Sequence, residues 1–140
     1  MKKSILLIVI IMCTFVISMI SSANDIIETK SGLKYEELEI GSGNKAAPQK
    51  IATIHITVWK NDNGSKGEKL YTTSQGDTST ISFKVGTRKV ADGLNQGVIG
   101  MREGGKRRLY VPPELNPQKA SGEFPGKASL IYEVELIKIK

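Results

Sequence analysis

Apolar and polar residues alternate with a period of two in several short segments of the chain. The clearest is residues 50–59, where Ile54, Ile56 and Val58 fall on one face and mostly polar residues fall on the other. This alternation is typical of a strand with one buried face. Together with turn signals, the same reasoning predicts further strands at residues 34–40, 70–74, 79–86, 106–111 and 129–140. Residues 60–69 and 116–127 are predicted to be loops.

The last predicted strand changes phase near its end. Its first part places alternate apolar residues on one face: Leu130, Tyr132, Val134 and Leu136. Ile137 and Ile139 then fall on the opposite face. The face assignment from period two therefore extends only as far as Leu136.

Residues 90–101 follow a helical spacing instead, with Ala91, Leu94, Val98 and Met101 on one face. Three glycines weaken this single short helix. Because one helix covers only one face of a mostly antiparallel sheet, the sheet is expected to curl around it and leave a concavity. The predicted fold class is α+β, a curved antiparallel β-sheet of five to six strands wrapped around one short α-helix. The concavity is the default binding site.

The segment "GMREGGKRRLYVPPEL", residues 100–115, is a strand held between fixed ends. Glycines 104 and 105 allow the chain to reverse, and prolines 112 and 113 end the strand because they lack a backbone N–H. The basic side chains of residues 106–108 alternate between faces, so they do not form one patch. We expect them to be solvated or paired with Glu133 and Glu135.

The first 23 residues have the pattern of a secretory signal peptide. Lys2 and Lys3 precede an apolar run from residue 5 to residue 20, and Ala23 completes a small-residue cleavage pattern. The alternative is an uncleaved membrane anchor, although the run is shorter than the ~20 residues that usually span a bilayer. Cleavage implies a periplasmic or secreted protein, whereas an anchor implies a membrane-bound one that faces outside the cytoplasm.

Removal of residues 1–23 leaves residues 24–32 as a flexible leader and residues 33–140 as one domain. The only cysteine, Cys13, lies in the apolar run, so the remaining domain must fold without disulfides.

Charge and isolated polar residues exclude several other functions. The net charge of +6 falls to +4 without Lys2 and Lys3, and the lysines are scattered rather than clustered with aromatic residues. A nucleic-acid partner is therefore not expected. The single histidine, His55, has no companion ligands and reads as a strand residue, so neither a metal nor a cofactor is expected.

Several segments together resemble the FKBP-type peptidyl-prolyl isomerases. "GMREGGKRRLYVPPEL" closely resembles the family's signature around a central strand, and "SFKVGTRKVADGLNQGVIGM" resembles its strand, loop and helix. "SGLKYEELEIGSG" and "ASLIYEVELIKI" resemble its first and last strands. The collinear resemblance covers about residues 31–139. It implies cis–trans isomerisation of X–Pro bonds in proline-containing polypeptide clients, without a cofactor. Contact with a membrane is expected only if the N-terminal segment, residues 1–23, is uncleaved.

The resemblance also implies the residues of the site. By position, the catalytic residues would be Val90, Ala91, Tyr132 and Tyr71. The substrate-binding residues would be Ile56, Ile81, Phe83, Leu94 and Phe124. The placement of Tyr71 depends on aligning "YTTS" with the family's "FDSS", and a slip of one residue would bring Leu70 beside it. The family's substrate hydrogen bond comes from the backbone at the position of Ala91.

The chain departs from the family at several of these positions. Leu94 stands where the family usually has Trp, Ala91 replaces Ile, Tyr132 replaces Phe, and Ile56 replaces Tyr. Thr72 stands where the family has an acid. We therefore expect a weak isomerase that assists the folding of exported proteins. The alternatives are a catalytically impaired chaperone or protein-binding module and an anchored structural domain of the envelope.

Overall fold

The computed structural model describes residues 24–73, 79–117 and 125–140. The predicted signal segment and Phe124 lie outside these residues. Within them the chain forms seven strands and one α-helix: β1 (Ile27–Glu28), β2 (Lys34–Glu39), β3 (Ile51–Asp62), β4 (Ser65–Thr72), β5 (Ile81–Lys84), α1 (Asp92–Val98), β6 (Lys106–Val111) and β7 (Leu130–Ile139). No helix in the described ranges is both long and apolar enough to cross a bilayer.

The seven strands form one sheet in the order β1-β2-β6-β7-β3-β4, and β5 also pairs with β3. Every pairing between these strands is antiparallel. Helix α1 packs against β6 and β7 in the middle of the sheet. The predicted α+β class is confirmed. The strand beyond the expected five to six is β1. It lies within residues 24–32, the segment predicted to be a flexible leader, and it pairs with β2 of the domain.

The predicted loop at residues 60–69 is mostly strand. Strand β3 continues to Asp62, and β4 begins at Ser65, so only Asn63 and Gly64 form the turn. Both have positive φ, 50° and 88°, as a tight hairpin turn with the twist of its strands requires. Alternation does not reveal this hairpin, because its residues are almost all polar and exposed. The Asn-Gly pair was the available signal.

The phase change in the last strand is a β-bulge. Ile54 and Thr53 of β3 pair with Leu136 and Lys138 of β7, so Ile137 is the extra residue. The bulge returns Ile139 to the buried face, where it is 7% exposed, and leaves Ile137 41% exposed. One additional residue thus reverses the alternation without ending the strand.

Two glycines of α1 allow the helix to lie directly on β6. A Cβ added at Gly97 would lie 2.3 Å from Cδ1 of Leu109, and one at Gly93 would lie 2.2 Å from Cγ1 of Val111. Both distances are far shorter than a carbon–carbon contact. These glycines lower helix propensity, as the sequence indicates, but they also allow close packing of the helix on the sheet.

The basic residues of β6 alternate as predicted, but Arg107 is buried rather than solvated. Its side chain faces α1 and is 5% exposed. Nη1 donates to the carbonyl oxygens of Gly97 and Ile99 at 2.7 and 3.0 Å, which satisfies two acceptors at the C-terminal end of α1. Nε donates to Glu37 at 3.0 Å, and the guanidinium lies 4.4 Å from the ring centre of Tyr35.

The other two basic residues of β6 lie on the outer face of the sheet. Arg108 forms ion pairs with Glu133 and Glu36, both at 2.8 Å, so the predicted pairing with Glu133 is confirmed. Lys106 approaches Glu39 at 3.7 Å. Glu135 instead stands opposite both Lys106 and His55 in the strand register.

Candidate functional site

An apolar concavity of about 370 Å³ lies between the start of α1 and the buried face of the sheet. Its lining is almost entirely aliphatic and aromatic: Ile56, Val58, Tyr71, Ile81, Val90, Ala91, Leu94, Pro117 and Tyr132. A volume in this range accommodates a small side chain or ring with its flanking backbone, as is usual for small-ligand sites.

Seven residues predicted from the resemblance are brought together around this concavity: Ile56, Tyr71, Ile81, Val90, Ala91, Leu94 and Tyr132. Phe83 is 3% exposed and packs in the core, so it is not among the lining residues. Val58 and Pro117 line the concavity but were not predicted. Val58 follows Ile56 by two positions on the same face of β3, so period two could have identified it.

The sheet register aligns the two aromatic side chains of the lining. Val58 of β3 pairs with Tyr71 of β4 on one side and with Tyr132 of β7 on the other. Directly opposed residues on adjacent strands share a face, so the two rings flank Val58 across three strands. The third wall comes from the opposite layer, where Leu94 lies in the first turn of α1.

The loop before α1 is tied down by a buried asparagine. Asn95, 7% exposed, accepts a hydrogen bond from the Gly86 N–H at 3.0 Å and donates to the Thr87 carbonyl. Its own N–H donates to the carbonyl of Ala91 at 3.0 Å. Asn95 therefore joins both ends of the loop that carries Val90 and Ala91, a role that sequence reasoning did not assign.

Ala91 is positioned as the residue before the helix, with φ −55° and ψ 144°. Its N–H has no hydrogen-bond acceptor within the part of the chain that the structure describes. A backbone donor that has no acceptor among the described residues and lies beside an apolar concavity could hold a substrate carbonyl.

Tyr132 is 4% exposed, and its hydroxyl donates to Oδ1 of Asn116 at 2.8 Å. A tyrosine phenol is protonated at neutral pH, and burial raises the pKa of the Tyr132 phenol well above its ordinary value, so the hydroxyl remains a donor in alkaline solution as well. The ring thus contributes an apolar surface to the concavity while its polar end is already satisfied.

A more polar depression of about 500 Å³ adjoins the concavity and shares three lining residues with it, Val90, Ala91 and Pro117. Its other lining residues are Leu115, Asn116 and charged side chains of both signs: Arg88, Lys89, Asp92 and Glu114. The two spaces together form a groove that is apolar at one end and charged at the other. An extended peptide with one apolar residue fits this distribution.

His55 lies on the face of β3 opposite to Ile56, and its Nδ1 is 3.4 Å from Oγ1 of Thr73. It is therefore not a wall of the concavity. Across the described ranges, no three His, Cys, Asp or Glu side chains converge as metal ligands.

Comparison with known proteins places these features in context. Residues 42–137 match the family model described as FKBP-type peptidyl-prolyl cis-trans isomerase. The "FK506-binding protein" of Neisseria meningitidis serogroup B is 37% identical over 110 residues, which span 77% of this chain and 96% of that protein. "Peptidyl-prolyl cis-trans isomerase FKBP15-3" of Arabidopsis thaliana is 37% identical over 112 residues, with 78% and 75% of the two chains covered.

Among solved structures, that of AtFKBP13 superimposes with a TM-score of 0.70 at 24% identity, covering 83% of this chain and 99% of that one. At this identity the likeness supports the fold alone. It agrees with the antiparallel sheet and single short helix described above.

Proposed function

The chain belongs to the family of FKBP-type peptidyl-prolyl cis-trans isomerases, and we propose that it accelerates the rotation of X–Pro bonds in exported proteins. The observation that carries the proposal is the apolar concavity formed around Ala91, Leu94 and Tyr132. Family membership supports the reaction. The residues that perform it in this chain are part of the proposal.

The proposed mechanism requires little covalent chemistry. Rotation about a peptide bond has a barrier of roughly 18–20 kcal/mol because resonance is lost as the amide twists. The planar amide is more polar than the twisted one, so transfer into an apolar concavity disfavours the ground state more than the transition state. The proline ring would pack against Tyr132 and Leu94, and the Ala91 N–H would hold the carbonyl of the preceding residue.

We propose that catalysis is weak because the concavity is wide. Leu94 and Ala91 are smaller than the residues that the family resemblance implies, and the aromatic lining residues that the structure describes are Tyr71 and Tyr132. Thr72, at the position of the family's acid, has its hydroxyl 2.9 Å from that of Thr57. Fewer contacts with the twisted amide mean less stabilisation of the transition state.

A proline-limited peptide assay on the purified protein tests the reaction and the backbone donor together. We expect wild type to accelerate isomerisation and Ala91→Pro to lower kcat/KM by about tenfold, since one hydrogen bond of about 1–1.5 kcal/mol is lost. Proline suits this position because φ is already −55° and the N–H has no acceptor within the described residues, so the melting temperature should hold.

Ile40→Ala is the matched control, because Ile40 is 82% exposed and does not line the concavity. An Ala91→Pro protein with wild-type activity would reject the backbone donor. A wild-type protein that accelerates no proline substrate would reject the isomerase.

The width of the concavity also favours the alternative of a chaperone or protein-binding module. Such a protein would keep the apolar groove for binding without stabilising the twisted amide. It would suppress aggregation of an unfolded client in the same preparations that show no acceleration.

We propose that the protein acts outside the cytoplasm, after cleavage following Ala23. The support is the charged start, the apolar run and the small residues near position 23. Intact-mass measurement on envelope fractions should find residues 24–140 as the dominant species. Ala23→Asp should accumulate the uncleaved chain, because a charged residue replaces the small residue of the cleavage pattern. A dominant wild-type species that retains Met1 would instead identify an anchor.

A further inference from the structure

We propose that Asn116 is a positioning residue of the groove, which fixes the ring of Tyr132 as the wall against which the proline packs. The inference rests on the proposed function, because it concerns the geometry of that site. Asn116 follows the short 3₁₀ turn Pro113–Leu115 and is only 5% exposed.

The contacts of Asn116 determine which way its amide faces. Nδ2 donates to the carbonyl oxygens of Ala128 at 2.8 Å and Val111 at 3.2 Å, and approaches that of Pro112 at 3.4 Å. A flipped amide would place its oxygen against these carbonyls, where it has nothing to accept. Oδ1 is therefore held toward the hydroxyl of Tyr132, 2.8 Å away.

Asn116 thereby holds the hydroxyl of Tyr132, which is the end of the tyrosine side chain farthest from the backbone of β7. The backbone of Tyr132 is fixed by the pairing of β7 with β3 and β6, and the hydroxyl is fixed by Oδ1. A phenylalanine, which the resemblance implies here, would need no acceptor, whereas a buried phenol without one is costly. The tyrosine and the asparagine therefore act as a pair.

This pair also separates the two halves of the groove. Tyr132 lines the apolar concavity, and Asn116 lines the adjoining charged depression. Since the Tyr132 hydroxyl is already donating to Asn116, the ring presents its apolar surface to substrate. Pro117 lines both spaces. Because it is joined to Asn116 by a peptide bond, the position of Asn116 also sets the position of Pro117.

The test is a double-mutant cycle in the purified protein, with Asn116→Leu, Tyr132→Phe and the double variant. We expect Asn116→Leu to lower kcat/KM by about tenfold and Tyr132→Phe by about threefold, as expected for loss of a buried hydrogen bond. Since both act through one contact, the double variant should lose no more than Asn116→Leu alone. Activity is measured below the lowest melting temperature of the series.

A second readout reports on the ring itself. The aromatic carbon signals of Tyr132, assigned by their absence in Tyr132→Phe, should shift and broaden in Asn116→Leu. Unchanged Tyr132 signals, or unchanged kcat/KM with only a lower melting temperature, would overturn the positioning role and leave a purely structural one. Fully additive losses would also overturn it.

The two proposals fail in distinguishable ways. If wild type is inactive on every proline substrate, the proposed function fails. The positioning role is then decided by titrating a proline peptide into wild type and Asn116→Leu. Weaker binding by the variant together with altered Tyr132 signals supports the role, and equal binding overturns it.

Discussion

Arg107→Met is expected to lower the free energy of unfolding by about 2–4 kcal/mol, because it leaves the buried Gly97 carbonyl and two partly buried acceptors without a donor. The guanidinium satisfies the Gly97 and Ile99 carbonyls at the end of α1 and pairs with Glu37. Glu37 retains 32% side-chain exposure, so water can compensate part of its loss. Gly97 is buried, so its carbonyl has less access to water, whereas Ile99 is 42% exposed.

Lys106→Met is the matched control for this change. Lys106 is the preceding residue of the same strand, and its contact with Glu39 at 3.7 Å joins two half-exposed side chains. Its removal should change stability by no more than about 0.5 kcal/mol. Arg107→Lys should fall between the two, because an ammonium cannot reproduce the planar fork. Urea denaturation measures all three, and equal losses for Arg107→Met and Lys106→Met would contradict the assigned role.

The combined variant Leu94→Trp with Ala91→Ile is expected to raise kcat/KM on short proline peptides by about tenfold. Both positions line the concavity of about 370 Å³, so larger side chains should close it around a proline ring. At roughly 25 cal/mol per Å², about 55 Å² of additional apolar contact in the transition state corresponds to a tenfold gain.

Overpacking opposes this gain, because Leu94 is only 5% exposed. An oversized side chain in a packed site typically costs ~1–3 kcal/mol of stability, so the melting temperature is measured beside the rate. The single variants separate the two positions, and Ile40→Trp controls for adding an exposed aromatic. Unchanged activity in a combined variant with wild-type stability would show that substrate binds elsewhere.

Much of the fold could be predicted because its signals are local. Period two identified the long strand around Ile54 to Val58, and helical spacing identified α1 despite its glycines. The polar hairpin at Asn63 was missed because both of its faces are largely solvated, so burial leaves no pattern there. The phase change at Ile137 was visible in the sequence, but its cause is the pairing with β3.

In the candidate site, too, residues with a local sequence signal could be predicted and residues defined by distant contacts could not. Tyr132 and Ala91 could be placed by resemblance, since their positions follow a collinear motif. Arg107, Asn95 and Asn116 could not, because the role of each depends on hydrogen-bond partners that are distant in sequence or lie in irregular backbone. From sequence alone, a basic or amide side chain is expected to be exposed to solvent, and only the structure shows the buried groups with which it pairs.

The glycine contacts of α1 bear on how the protein folds. A seven-residue helix with two glycines at its packed face is far shorter than the roughly 12–15 residues that an isolated helix needs in water. The helix therefore acquires its structure only by docking on Leu109 and Val111, with Arg107 completing its last turn. Leu94 reaches its place in the same step. We therefore expect the groove and the centre of the sheet to unfold together as one cooperative unit, so that loss of the helix contacts also removes the shape of the site.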